Sequence, residues 1–248
     1  MKRTDVQHAA PSLQLTACPE PLVEEIFARR QIPVAGGEWE PMEVYIPREQ
    51  GDLLYSLVRY VLPELTVEVG MANGLSTLFI ASGLQDNGAG RHIAIDPYQS
   101  ADWKQAGITL MGLAGLADRV DVIEKFSHQA LPELEQSGRR AQFVFIDGSH
   151  LFDYVISDFL CADRILDVGG LMAFDDSDWP AISQALRYIV TNRRYRNRVC
   201  LELVINGLWI WRQGANTAEF LPPGIQFVGA GYTADTDSQG AYLLQHIS

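Results

Sequence analysis

Between residues 66 and 174 the chain alternates short apolar runs with longer stretches of mixed polarity. Runs rich in Val, Ile and Phe stand at 66–69, 92–95, 120–123, 143–146 and 171–174, with segments of helical character between them. A short, continuous apolar run suits a strand covered on both faces, and strands that alternate with helices form βαβ units. The pattern therefore predicts an α/β fold with a doubly wound, mostly parallel, Rossmann-like sheet. Ahead of it, residues 50–61 place Leu53, Leu54, Leu57, Val58 and Val61 at helical spacing before Pro63, which predicts a helix leading into the first strand. After a further helix over about 180–190, runs at 199–205 and 208–212 flank Asn206-Gly207, a strong hairpin signal. An antiparallel C-terminal hairpin would then close the sheet at about seven strands, as in other doubly wound folds.

The two ends of the chain are less regular. Residues 1–47 carry scattered Pro and Gly with one amphipathic stretch at 22–29, and read as an N-terminal extension packed on the core. Residues 48–213 form the main domain. Residues 214–248, rich in Gly, Pro, Asp and Thr, form a tail in which 241–247 offers one more strand or helix.

Composition narrows the class of partner. A length of 248 residues with 47% hydrophobic and 20% charged positions is ordinary globular composition. The formal net charge of -12 repels phosphate backbones and anionic lipid, so neither nucleic acid nor a membrane is the expected partner. The one basic run, Arg193, Arg194, Arg196 and Arg198, reads as a solvated helix end. Cys18, Cys161 and Cys200 are odd in number and lack CxxC spacing, which points away from a disulfide framework or a zinc site and towards a reducing cytosol. Residues 1–16 lack the apolar core of a signal peptide, and no stretch has bilayer-spanning length, so a cytoplasmic protein is expected. A homo-oligomer is compatible with all of this.

Several strands end on a glycine or an acid: Val69-Gly70, Ile95-Asp96, Ile146-Asp147 and Phe174-Asp175. In an open parallel sheet these positions lie along the carboxyl edge, where ligands bind. The stretch from Val67 to Thr77 is a strand, a small-residue turn and a helix start, and the unpaired N–H groups of that helix suit an anionic group such as an amino-acid carboxylate. Gly70 and Gly74 enclose Met71, Ala72 and Asn73, which is not the GxGxxG spacing used for a pyrophosphate. Asp96, at the end of the next strand, can accept both hydroxyls of a ribose.

From about Pro47 to Asp176 the chain resembles the small-molecule class I methyltransferases, in particular the branch related to catechol and caffeoyl-CoA O-methyltransferases. The likeness rests on Gln50-Gly51 in the leading helix, on Glu68-Val69-Gly70 with Gly74-Leu75-Ser76-Thr77, on Ile95-Asp96, and on Gly115 to Val120 before the third strand. It implies S-adenosylmethionine as cofactor. Glu68, Gly70, Met71, Gly74 and Ser76 would hold its methionine part beside Asp147, Asp96 its ribose, and Phe126-Ser127 its adenine.

Methyl transfer from a sulfonium is an in-line displacement in which positioning can supply much of the rate. For a hydroxyl acceptor on a small molecule, a divalent cation held by oxygen ligands lowers the acceptor pKa. Asp147 and the Asp175-Asp176 pair are the candidate ligands, and an all-oxygen set favours Mg2+, Ca2+ or Mn2+, with Mg2+ first. Metal-dependent relatives place ligands at corresponding positions, although catechol-type enzymes follow the second aspartate with Asn where this chain has Asp176. His150, in the string Asp147-Gly148-Ser149-His150, is a candidate general base, and that string resembles bacterial methyltransferases that tailor sugars, macrolides and other secondary metabolites. Trp179, Trp103 and Tyr98 could wall an apolar acceptor pocket, with the tail contributing to it or to an interface. Two other readings compete: an NAD(P)-dependent Rossmann oxidoreductase, and a catalytically silent cofactor-binding subunit.

Overall fold

The computed structural model describes residues 15–192 and the strands Leu203–Ile205, Leu208–Arg212, Tyr232–Thr236 and Tyr242–His246. The basic run at 193–198, Cys200, the Asn206-Gly207 turn and most of the tail expected over 214–248 lie outside the described residues. Tyr242–His246, within the 241–247 stretch that offers a strand or a helix, is a strand paired antiparallel with Tyr232–Thr236.

The central sheet is built from β3 (Leu65–Val69), β4 (Arg91–Ile95), β5 (Val120–Ile123), β6 (Ala141–Ile146) and β7 (Leu166–Phe174). Its order is β5-β4-β3-β6-β7, all parallel, so that the chain starts in the middle and winds outward in both directions. Val69 is level with both Ile95 and Ile146, Ile95 with Ile123, and Ile146 with Phe174. The five strands therefore stop on one line. Strand β7 starts earlier than its apolar run, because its first residues pair with β6 at Ala141 before a register shift.

Each face of the sheet is covered by helices. On one side α2 (Arg48–Val61), α3 (Leu75–Asn87) and α4 (Ala106–Leu113) pack Leu53, Leu54, Phe79 and Leu110 against Ala94, Phe143, Phe145 and Leu171. On the other, α5 (Ser127–Gln136), α6 (Phe152–Ile165) and α7 (Pro180–Asn192) pack Leu131, Phe159 and Leu186 against Val67, Ile93, Val144 and Met172. Burial of both faces explains why the strands read as apolar without alternation.

The segment before α2 carries α1 (Pro21–Arg29) and an antiparallel pair, β1 (Gln31–Pro33) with β2 (Trp39–Pro41). Strands of three residues are too short to show a period, and nothing in the sequence announced them. Val23, Ile26, Ile32 and Ile46 enter the core on the α2 side. The Cys18 N–H donates to Asp52 of α2 at 2.8 Å, and Asn73 of the glycine turn donates to the Val44 carbonyl. This segment therefore runs directly over the carboxyl edge.

Candidate functional site

The residues that follow the level strand ends are tied together along the edge. Gly70 donates its N–H to Ile95, Asp96 to Ile123, Asp147 to Val69 and Asp175 to Ile146, over 2.8–3.1 Å. The ladder thus extends one residue beyond the strands and sets a glycine and three carboxylates in one row. Gly70 and Gly74 both take positive φ, 91° and 84°. A Cβ on Gly74 would lie 2.5 Å from Gly107 Cα, so the turn can pass under α4 only without a side chain at position 74.

The turn is braced from both sides. Asp96, 3% exposed, accepts from the Ala72 N–H at 2.7 Å through Oδ2 and from the Tyr98 N–H at 2.8 Å through Oδ1. Glu68 is fully buried, and its carboxylate accepts from Ser76 Oγ and Thr77 Oγ1 at 2.5 Å and pairs with His92 Nε2 at 3.0 Å. Glu68, expected beside the methionine part of the cofactor, does not line the cavity next to the turn. Fully buried and with both oxygens engaged, its carboxylate braces the start of α3.

A cavity of about 340 Å³ opens beside the turn. It is lined by Met71, Ala72, Asn73 and Ser76 of the turn, by Asp147, His150, Asp175, Asp176 and Trp179, by Gln50 of α2, and by residues 44–47 of the N-terminal segment. His150 Nε2 stands 2.7 Å from Asp176 Oδ2 and 3.9 Å from Asp147 Oδ1. One ligand atom from each of Asp147, His150 and Asp176 lies within 4.8 Å of the others. Asp175 is turned slightly aside, accepting from the Gln50 side-chain amide and from the Asp176 N–H. The compact trio therefore contains His150, where the sequence suggested Asp175.

Crowded acids shift one another. Burial first, then the charges of Asp175, Asp176 and Glu68, hold the Asp147 carboxyl well above the usual range. Burial, helped by Asp176, pushes Asp175 up to about 6 against the bonds from Asp176 N–H and Gln50. His150 is raised by its hydrogen bond to Asp176 despite partial burial. Such a set holds its negative charge unwillingly without a counter-cation, which is the chemistry of a divalent metal site.

Phe126 and Ser127 lie further along the edge, beyond β5. Phe126 meets Tyr98 edge to face with centroids 5.9 Å apart, and Ser127 Oγ donates to Asp158 of α6 at 2.5 Å. Burial pushes Asp158 up to about 6, opposed by the Ser127 hydroxyl and His128.

The structure thus brings Met71, Ser76, Asp147, His150, Asp175, Asp176 and Trp179 around one cavity, with Gly70 and Gly74 framing the turn and Asp96, Phe126 and Ser127 beside it along the edge. Trp103 and Tyr98, expected in the acceptor wall, do not line the cavity, since the loop after β4 folds towards Phe126 and α4. The sequence reading missed Gln50 and Asn73 as wall residues, and Asp158. Gln50 and Asp158 are polar residues on the buried faces of α2 and α6, which is the one signal that could have marked them.

A methyltransferase domain family matches residues 67–177. Caffeoyl-CoA O-methyltransferase 1 of Eucalyptus globulus is 27% identical over 163 residues, or 65% of this chain and 61% of that protein. The chain spans about three fifths of the length of such curated relatives. Among solved structures, an O-methyltransferase from Bacillus cereus in complex with S-adenosylhomocysteine superposes with a TM-score of 0.59 at 19% identity, covering 78% of this chain and 90% of that one. The O-methyltransferase TomG of Streptomyces achromogenes, involved in tomaymycin synthesis and solved with S-adenosylmethionine, gives 0.56 at 22% identity, covering 70% and 84%. At these identities the structural likeness speaks for the fold. Residues 67–177 thus match a methyltransferase domain family, and the chain folds like O-methyltransferases solved with S-adenosylmethionine or S-adenosylhomocysteine.

Proposed function

We propose that this chain transfers the methyl group of S-adenosylmethionine to a hydroxyl of a small molecule, with a divalent cation assisting. The observation that carries the proposal is the single cavity in which the glycine turn and the Asp147, His150, Asp175 and Asp176 cluster face one another. In this reading Gly70, Met71, Gly74 and Ser76 receive the methionine part, whose carboxylate suits the start of α3. Asp96 receives the ribose, Phe126 and Ser127 the adenine, and Glu68 supports the turn from behind.

Asp147, Asp175 and Asp176 would hold the cation, with His150 within reach, and a cation there lowers the pKa of a bound hydroxyl. His150 would be the proton acceptor at Nε2, the nitrogen that stands 2.7 Å from Asp176 Oδ2. The acceptor oxygen then forms its bond to the methyl carbon as the sulfur–carbon bond breaks, and the hydroxyl proton goes to His150. Trp179, whose ring lies 4.7 Å from the His150 ring, and residues 44–47 would shape the acceptor side.

The same reading covers the rest of the chain. Residues 1–47 form an extension on a domain at 48–213, followed by a tail at 214–248. A seven-stranded sheet with a C-terminal hairpin is supported by the register of Leu171 with Arg212 and of Ile205 with Leu208. Among the described residues no helix is long and apolar enough to cross a membrane, and Cys18 and Cys161 are free thiols, as suits a cytoplasmic protein with a small-molecule substrate. Labelled S-adenosylmethionine with a panel of phenols and sugar alcohols tests the function. Transfer to a hydroxyl that is abolished by EDTA or by Asp147→Ala, with cofactor binding retained, is expected; full transfer in excess EDTA would overturn the metal role, and cofactor binding without transfer or cation affinity would overturn the enzyme.

A further inference from the structure

Asp158 has no part in the chemistry above. It lies on α6 with 2% of its surface exposed, beneath two of the loops that leave the carboxyl edge. Its Oδ1 accepts from Ser127 Oγ at 2.5 Å, and its Oδ2 stands 3.5 Å from where a Cβ on Gly148 would lie. One buried carboxylate thus underpins both the loop after β5 and the loop after β6.

The hydrogen-bond polarity of this pair is decided by elementary chemistry. An ionised carboxylate only accepts, and a serine hydroxyl has one proton to give. Bound to Asp158, Ser127 Oγ has spent that proton and presents only lone pairs to anything that enters beside it. Ser127 itself is half-buried, next to the exposed edge-to-face pair of Phe126 and Tyr98, which offers a flat apolar flank beside Asp96.

We propose that Asp158 sets base selectivity from behind: by fixing Ser127 Oγ as an acceptor, it favours a purine bearing a 6-amino group over one bearing a 6-carbonyl. Adenine offers N–H donors at that position, whereas hypoxanthine would set a carbonyl oxygen against the Ser127 lone pairs. With the carboxylate replaced by an amide, the Asn nitrogen can donate to Ser127, and the hydroxyl is free to rotate and serve either base. Asp158 acts through Ser127 and is therefore a positioning residue. The inference rests on the proposed placement of the cofactor base at Phe126 and Ser127.

The test is calorimetric affinity for S-adenosylhomocysteine and S-inosylhomocysteine in the wild type, Asp158→Asn and Ser127→Ala, with thermal melts to verify folding. The wild type should favour the adenosyl compound by about tenfold or more, and both variants should bring the ratio to within about threefold. Ser127→Ala removes the reading oxygen without touching the buried carboxylate, so it carries the test if Asp158→Asn fails to fold. Variants that weaken both ligands equally, or that keep the wild-type ratio, overturn this inference alone. A wild type that binds neither compound overturns the cofactor reading with it.

Discussion

A Cβ on Gly70 would lie 2.0 Å from the carbonyl oxygen of Asp147. The turn after β3 and the loop after β6 are therefore nested backbone against backbone, and the strand-end glycine is what allows the acidic cluster to approach the cofactor turn. Position 70 also requires a φ of 91°, which a side chain resists independently of space.

Gly70→Ala should consequently cost at least about 2 kcal/mol of folding stability, from backbone strain together with the displaced loop. Urea denaturation measures it. A midpoint equal to that of the wild type would show that the two loops are not in contact.

Asp96→Ala should leave the sheet intact but loosen the turn, because the Ala72 and Tyr98 N–H groups lose their acceptor. Affinity for S-adenosylhomocysteine is expected to fall by about tenfold or more, because the two ribose hydrogen bonds proposed for Asp96 would also be lost. Calorimetry with unchanged affinity would remove Asp96 from the site.

The raised carboxyls would give the proposed cation a definite pH dependence. Asp147 and Asp175 have folded-state pKa values above their unfolded ones, so the stability they contribute is present at low pH and is lost as pH rises through the folded values, about 6 for Asp175. A divalent cation takes the place of those protons. Mn2+ should therefore raise the melting temperature clearly at pH 8 and much less at pH 5, and an equal shift at both would argue against carboxylate ligation.

Asp158 follows the same sign through a different group. Its carboxyl is raised from 3.8 to about 6, so its contribution is full below about 4 and is lost as pH climbs past about 6. Asp158→Asn should be more stable than the wild type at pH 8 by roughly 1–3 kcal/mol and indistinguishable at pH 4. Denaturation at the two pH values would show a flat difference if burial were not the cause.

The sequence made the sheet and its edge legible because strands buried on both faces leave continuous apolar runs, and the register then sets Gly70, Asp96, Asp147 and Asp175 in a row without further information. Other features depend on pairings that no local pattern encodes. Gln50 meets Asp175 across 125 positions and Ser127 meets Asp158 across 31, so each looks like an ordinary polar residue on its helix until the fold brings its partner near. Glu68 was singled out only by the family resemblance, and its bonds to Ser76, Thr77 and His92 emerge from the packing. The three-residue strands at 31–33 and 39–41 were too short to betray a period, and with them the way the N-terminal segment roofs the cavity.

In the proposed function one crevice at the carboxyl edge holds the methyl donor. A crystal structure of the chain with S-adenosylhomocysteine tests it most directly. The amino-acid end should lie against Gly70 to Ser76, the ribose hydroxyls on Asp96, and the sulfur facing Asp147 and His150. Density for the ligand at any other surface, with this edge unliganded, would contradict it.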